Sequence, residues 1–264
     1  MKNNYALAIR AALKAGEAIL EVYESDDFGI ETKEDSSPLT VADQRAHDII
    51  IKYLEETEYP VLSEEGQHVP YAERSKWKRF WLVDPLDGTR EFIKRNGEFT
   101  VNIALVEEGK AIFGVVNAPV IKELYVGIPG RGAFRCRNEK NFYQPLDYLL
   151  QFADRLPVEN QNPGLFTVVS SRSHYNEETR KFVESLDSGG KEISLVSKGS
   201  SLKLCLVASG EADIYPRLGP TMEWDTAAAH AVVKASGKNV YRTDTGEELS
   251  YNKQNLLNPY FVVK

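Results

Sequence analysis

The spacing of hydrophobic positions changes along this chain, and the changes divide it. Over residues 4–24, Ala8, Ala12, Ala15, Ile19 and Val22 recur at three- and four-residue intervals with mostly polar residues between them. That period predicts an amphipathic helix. A second helix is expected over 41–56, with Thr40 as its N-cap and Ala46, Ile49, Ile50, Tyr53 and Leu54 facing inward. Between the two, 28–32 reads as extended and 34–38 as a loop. Short apolar runs follow at 61–66, 80–83, 99–106, 111–116 and 123–126, separated by turn residues such as Gly109 and the glycines of 127–132. This first part reads as helices packed on an antiparallel sheet.

From 137 to 164 the pattern loosens around several asparagines and prolines, with room for a short helix over 147–152; a linker or lid is expected. Strands at 165–170, 192–196, 212–215 and 239–241 then alternate with helices at 177–186, 202–208 and 226–235, the mark of an α/β unit. The expected organisation is an α+β half over 1–137, an insertion over 138–164 and an α/β half over 165–264.

The run Phe80-Trp81-Leu82-Val83 ends in Asp84-Pro85-Leu86-Asp87-Gly88-Thr89, and residues 90–94 read as the first turns of a short helix. Pro85 is expected to stop strand pairing between the two aspartates. Carboxylates at a strand end beside a helix N-terminus suit a hard cation and a phosphate together. An EF-hand loop aligned on Asp87 and Gly88 fails, because its first, third and last positions would be Val83, Pro85 and Lys94. An aspartyl-phosphate phosphatase needs Asp two residues before Asp87, where Pro85 stands. A plain Asp-Gly surface turn explains the stretch taken alone.

Further acids at element ends change that balance. Glu64 and Glu65 close the 61–66 run, Asp43 sits in the first turn of the second helix, and Asp225 opens the alanine-rich helix. Each has an ordinary explanation: a capping box for Asp43, an N-cap for Asp225, solvated charge for the glutamates. Together they describe a magnesium site for phosphoryl transfer to water, because Mg²⁺ takes oxygen ligands and shares them with phosphate. His47, His68, His174 and His230 are scattered and join no cysteine cluster, so zinc is not indicated, and a Walker loop is absent.

The net charge of −7 gives no basic stripe for a nucleic-acid polymer, so any anionic substrate must meet local lysines or bound metal. Two cysteines, Cys136 and Cys205, fit a reducing compartment. The sequence shows neither a signal core nor a run of transmembrane length. A cytoplasmic location is expected, with a peripheral place on the cytoplasmic face of the inner membrane left open. Oligomeric state is not legible.

Leu62-Ser63-Glu64-Glu65, the Trp81–Thr89 stretch and Trp224-Asp225-Thr226-Ala227-Ala228 resemble the three signatures of the inositol-monophosphatase superfamily. Residues 90–105, Ser171-Arg172-Ser173-His174 and Gly199-Ser200-Ser201-Leu202-Lys203 are similar to its bacterial 3′(2′),5′-bisphosphate nucleotidases of the CysQ type. The resemblance spans nearly the whole chain, although 138–164 looks longer than expected. It implies a layered αβαβα sugar-phosphatase fold and hydrolysis of adenosine 3′,5′-bisphosphate, a nucleotide of sulfur assimilation, to AMP and phosphate. It further implies two or three Mg²⁺ held by Glu64, Asp84, Asp87, Asp225 and the Leu86 carbonyl, lithium sensitivity, and amides of Gly88 and Thr89 on the scissile phosphate. Thr89 and Asp43 would orient and deprotonate the attacking water, with Glu65 supporting a further metal. Ser171, His174, Gly199 and Lys203 would hold the nucleotide, Lys203 at its 5′-phosphate. Phosphosulfate hydrolysis, a sister activity on inositol or fructose phosphates, and a silent metal- or nucleotide-binding regulator stand as alternatives.

Overall fold

A computed structural model describes residues 2–25, 28–32, 38–159, 162–171 and 176–264. Helix α1 (Lys2–Tyr23) and helix α2 (Val41–Leu54) follow the expected stripes, and between them lies a two-stranded ribbon of β1 (Glu31–Thr32) and β2 (Pro38–Leu39). Most of the loop expected over 34–38 lies outside the described residues. The α2 N-terminus closes as a capping box: the Thr40 hydroxyl accepts from the Ala42 N–H at 3.2 Å, and the Thr40 N–H donates to Asp43 Oδ2 at 2.7 Å.

Strand β3 (Val61–Ser63), a helical turn α3 (Tyr71–Arg74) and strand β4 (Arg79–Asp87) lead to the short helix α4 (Thr89–Ile93). Strands β5 (Thr100–Glu107), β6 (Lys110–Ala118), β7 (Glu123–Ile128) and β8 (Gly132–Cys136) complete a meander. Glu108 and Gly109, both at positive φ, make the two-residue β5–β6 turn. Helix α5 (Leu146–Gln151) precedes β9 (Asp154–Leu156), and the sheet order is β3-β4-β5-β6-β7-β8-β9.

Three expectations about this sheet are corrected. It is not wholly antiparallel, because β3 runs parallel to β4. Strands β8 and β9 belong to it, although neither gives a clear sequence signal. The stretch 138–164, expected as a linker or lid with room for a short helix, does form that helix as α5, but Leu149 and Leu150 enter the core and the edge strand β9 follows. Apolar contacts made far along the chain set these placements, and local period does not record them.

Strands β10 (Leu165–Ser171) and β11 (Glu192–Lys198) pair in parallel around helix α6 (Glu177–Glu184). Helix α7 (Leu202–Ser209), strand β12 (Tyr215–Arg217), helix α8 (Glu223–Ala235), strand β13 (Val240–Arg242) and strand β14 (Phe261–Val263) follow. Strand β14 inserts between β12 and β13, and a parallel bridge from Val168 to Ile214 joins β12 to β10. The strand expected at 212–215 is therefore shifted toward the C-terminus, and β14 was not foreseen.

Alternating side chains show the layers. Val168, Ile214 and Val262 pack under α6, whereas Val169, Tyr215, Phe261 and Val263 face α7 and α8. On the large sheet, Trp81, Val83, Ile103 and Val115 face α1 and α2, while Phe80, Leu82, Ala104 and Val116 face α7 and α8. The order is thus α1–α2, large sheet, α7–α8, small sheet, α6, the expected αβαβα arrangement.

Cross-strand partners Gly114 and Gly127 bring α8 close to the large sheet. A Cβ on Gly114 would stand 2.0 Å from the Ala228 carbonyl oxygen, and one on Gly127 would stand 2.5 Å from that of Ala231. Gly114→Ala is expected to destabilise the protein by about 2–3 kcal/mol through overpacking. Urea unfolding checks this; an unchanged midpoint would mean that α8 can shift freely.

Candidate active site

The two aspartates of β4 share a face because of a backbone irregularity. Positions three apart on a regular strand point to opposite faces. Here Asp84 pairs with Asn102 and Asp87 with Thr100, so three steps on β4 match two on β5. This is a β-bulge. It turns Leu86 into the α1–α2 core while Asp84 and Asp87 line one cleft. Ladder pairing breaks at Pro85, as the sequence suggested. It resumes at Asp87, because the bulge places proline where the ladder is already interrupted.

Glu64 follows β3, and parallel pairing sets it beside the end of β4. Asp225 comes from the start of α8, whose N-terminus the two glycines hold near the sheet. It is not the N-cap. The helix starts one turn earlier, with Met222 as cap, and Asp225 at its third position accepts from the Met222 N–H at 2.9 Å. Carboxylate oxygens of Glu64, Asp84 and Asp225 lie within 4.8 Å of one another. Burial, then the charges of Glu64 and Asp87, raises the Asp84 carboxyl well above its ordinary range. Asp225 is raised too, by burial and then by Asp87 and Glu64.

An all-oxygen, crowded anionic donor set matches a hard divalent cation and offers nothing to a soft one. Magnesium fits these residues. Asp87 and Leu86 line the same cleft beside the trio, and Thr89 Oγ1 lies 3.3 Å from the Leu86 carbonyl oxygen.

Thr89 opens α4 behind Gly88, which sits at φ 95° in the left-handed region that favours glycine. The Thr89 hydroxyl donates to Asp43 Oδ1 at 3.1 Å, while Asp43 Oδ2 accepts from the Thr40 hydroxyl at 2.6 Å. Asp43 therefore caps α2 and faces Thr89 at once. Burial raises its carboxyl, against the lowering effect of the Thr40 bonds.

The cleft encloses about 300 Å³ and is lined by the acids together with Arg90, Ser171, Gly199, Lys203 and Arg217. Lys203 is buried, and burial pulls its ammonium down to about 8. Its Nζ donates to the Ser200 carbonyl oxygen at 2.5 Å. Gly199 lines the cleft, but its N–H donates to Glu98 Oε2 at 2.8 Å, so close packing accounts for this glycine better than amide donation to substrate. His174 lies outside the described residues. Arg217, unforeseen from sequence, adds a second cation, braced by Thr221 Oγ1 at 2.6 Å and the Pro220 carbonyl at 2.6 Å. A lone arginine ending a three-residue strand leaves no sequence signal.

The sequence profile of the inositol monophosphatase family matches residues 1–260. The chain belongs to the inositol monophosphatase family. Among family members, it is 44% identical over 257 residues to the 3′(2′),5′-bisphosphate nucleotidase CysQ of Salmonella typhimurium, covering 96% of each chain. It is 39% identical over 244 residues to that of Buchnera aphidicola, covering 91% of this chain and 84% of the other. The crystal structure of CysQ from Bacteroides thetaiotaomicron superposes with a TM-score of 0.91 at 48% identity, over all of this chain and 97% of the other. No helix among the described residues is long and apolar enough to cross a membrane.

Proposed function

We propose that this inositol monophosphatase family member hydrolyses the 3′-phosphate of adenosine 3′,5′-bisphosphate to AMP and phosphate, with Mg²⁺, in sulfur assimilation. The observation that carries the reading is one cleft lined both by a carboxylate trio and by the cations Lys203 and Arg217, with Arg90 in the same lining. The acids suit a cation on the scissile phosphate, and the two bases suit a second anion on the same molecule. The identity to bisphosphate nucleotidases supports the same substrate class. Inositol monophosphates carry no second phosphate to engage that pair.

Glu64, Asp84, Asp87, Asp225 and the Leu86 carbonyl would hold two or three Mg²⁺. Magnesium supplies positive charge that activates water and neutralises the phosphate. The chain itself does the positioning. Because the Thr89 hydroxyl proton points to Asp43, its oxygen lone pairs accept from the attacking water, and the pair takes up the proton lost as water bonds to phosphorus. The bond from phosphorus to the 3′-oxygen breaks, and that oxygen leaves with a proton from solvent. Burial raises the Asp43 carboxyl, which makes it a stronger base than an ordinary aspartate. Gly88 and Thr89 amides face the phosphate, and Ser171 with the buried Lys203 and with Arg217 holds the nucleotide end.

Thr89→Val is expected to lower turnover about 10²-fold while leaving Mg²⁺ affinity within a few-fold, with Thr89→Ser retaining most activity. Equal loss in both variants would remove the hydroxyl from the mechanism. The direct test is phosphate release from adenosine 3′,5′-bisphosphate and from inositol 1-phosphate, each with Mg²⁺ and with chelator. Strong Mg²⁺-dependent turnover of the nucleotide alone is expected; preference for the inositol ester would overturn the substrate assignment.

A further inference from the structure

A buried polar cluster on β5, outside the cleft lining, converges on Asp87. Thr100 and Asn102 are the residues registered against Asp87 and Asp84 across the bulge, and both are essentially inaccessible to solvent. Buried polar side chains at strand positions are costly unless their bonds are completed. Here they are completed across the seam between the two halves. Thr100 Oγ1 lies 2.6 Å from Ser200 Oγ, 2.8 Å from Ser201 Oγ and 3.2 Å from Asn102 Oδ1. Ser201 Oγ donates to Asn102 Oδ1 at 2.9 Å. Asp87 Oδ2 then accepts three times: from Ser200 Oγ at 2.6 Å, the Ser201 N–H at 2.6 Å and Asn102 Nδ2 at 3.3 Å.

Counting protons gives this cluster a direction. The Ser200 hydroxyl has one proton, and a carboxylate oxygen that can only accept takes it. The 2.6 Å contact between Thr100 and Ser200 must therefore be a bond donated by Thr100. Ser201, with its own single proton, donates to Asn102 or to Thr100. The hydroxyl chain runs from Thr100 on the large sheet through Ser200 to Asp87 Oδ2. Such chains strengthen cooperatively, and outer partners of this kind set the orientation of metal-ligating carboxylates.

We infer that Thr100 and Asn102 are positioning residues for the cation site, holding Asp87 through the Ser200–Ser201 turn rather than touching substrate. The same turn carries the carbonyl that Lys203 Nζ engages, so the β5 pair also supports the backbone on which this lysine rests. In the sequence, residues 100 and 102 belong to an apolar strand and to the 90–105 stretch of family resemblance, and neither carries a predicted role. The inference rests on the reading of Asp87 as a cation ligand.

The test is Mg²⁺ binding by isothermal titration to the substrate-free protein, alongside the Mg²⁺ concentration for half-maximal turnover. Thr100→Val, close in shape and lacking the hydroxyl, is expected to weaken both roughly tenfold, with Thr100→Ser restoring them. Ser201→Ala keeps the amide on Asp87 and removes the hydroxyl, and is expected to weaken both by a smaller factor. It carries the test if Thr100→Val fails to fold. Asp87→Asn separates the two readings. If it abolishes Mg²⁺ binding while Thr100→Val and Ser201→Ala bind like the parent, the positioning inference is wrong and the site stands. If Asp87→Asn itself binds Mg²⁺ unchanged, the cation-ligand reading falls first.

Discussion

Asp84→Asn is expected to reduce phosphate release by a factor on the order of 10³ and to raise the melting temperature of the metal-free protein. The two effects share a cause. Asp84 is buried against Glu64, Asp87 and Asp225, and its carboxyl is pushed above its ordinary range by burial and then by those charges. A carboxyl whose folded value exceeds its unfolded one costs stability as pH rises through the unfolded value, roughly 4, toward the folded one. At neutral pH without Mg²⁺ that cost is present. Asparagine keeps an oxygen able to accept from the Leu86 N–H, as Asp84 Oδ1 does at 3.1 Å, while removing the charge. The gain relative to the parent should therefore grow from acid to neutral pH in chelator. Added Mg²⁺ should stabilise the parent and leave the variant nearly unmoved, because binding to the folded state is what raises stability. A variant less stable than the parent in chelator at neutral pH would show that the carboxylate is retained for structure.

Lys203→Met should raise the KM for adenosine 3′,5′-bisphosphate about 10- to 100-fold, the worth of one charge-assisted hydrogen bond. For adenosine 3′-monophosphate, which lacks the second phosphate, the change should stay within about threefold. Arg217→Ala should follow the same pattern, since both cations line the same cleft. A pH profile adds an independent check. Burial lowers the Lys203 ammonium to about 8, so in the empty cleft its charge is present below that pH and lost above it. Capture of the bisphosphate should weaken as pH climbs past about 8, whereas the 3′-monophosphate should show no such limb. The same limb on both substrates, or equal losses from Lys203→Met, would place Lys203 elsewhere in the reaction.

Sequence alone determined the elements whose period is local. The stripe of α1, the Thr40-to-Asp43 capping box, the β5–β6 hairpin and the strand–helix alternation after residue 165 follow from side-chain spacing and turn chemistry, and the structure keeps them. The acids of the site were legible because each stands at an element end beside glycine, proline or a cap, where ordinary packing has little use for carboxylates. Lys203 was legible only through family resemblance, since a lysine within a helix is usually solvated, whereas this one packs on the Tyr215 ring from another element.

Tertiary structure decided the rest. Strand β9 pairs with β8, and β14 with β12 and β13, through hydrogen bonds whose partners are set only once the sheets assemble. Arg217 reaches the cleft because β12 lies beside β14, not because of its neighbours in sequence. The shared face of Asp84 and Asp87 depends on a bulge that exists only against β5. Asn102 and Thr100 acquire their role in the same way, from a register and from a turn about 100 residues away, a separation over which side-chain period carries no information. Local chemistry thus marked the carboxylates of the cleft. The pairing of distant strands determined which of their atoms meet.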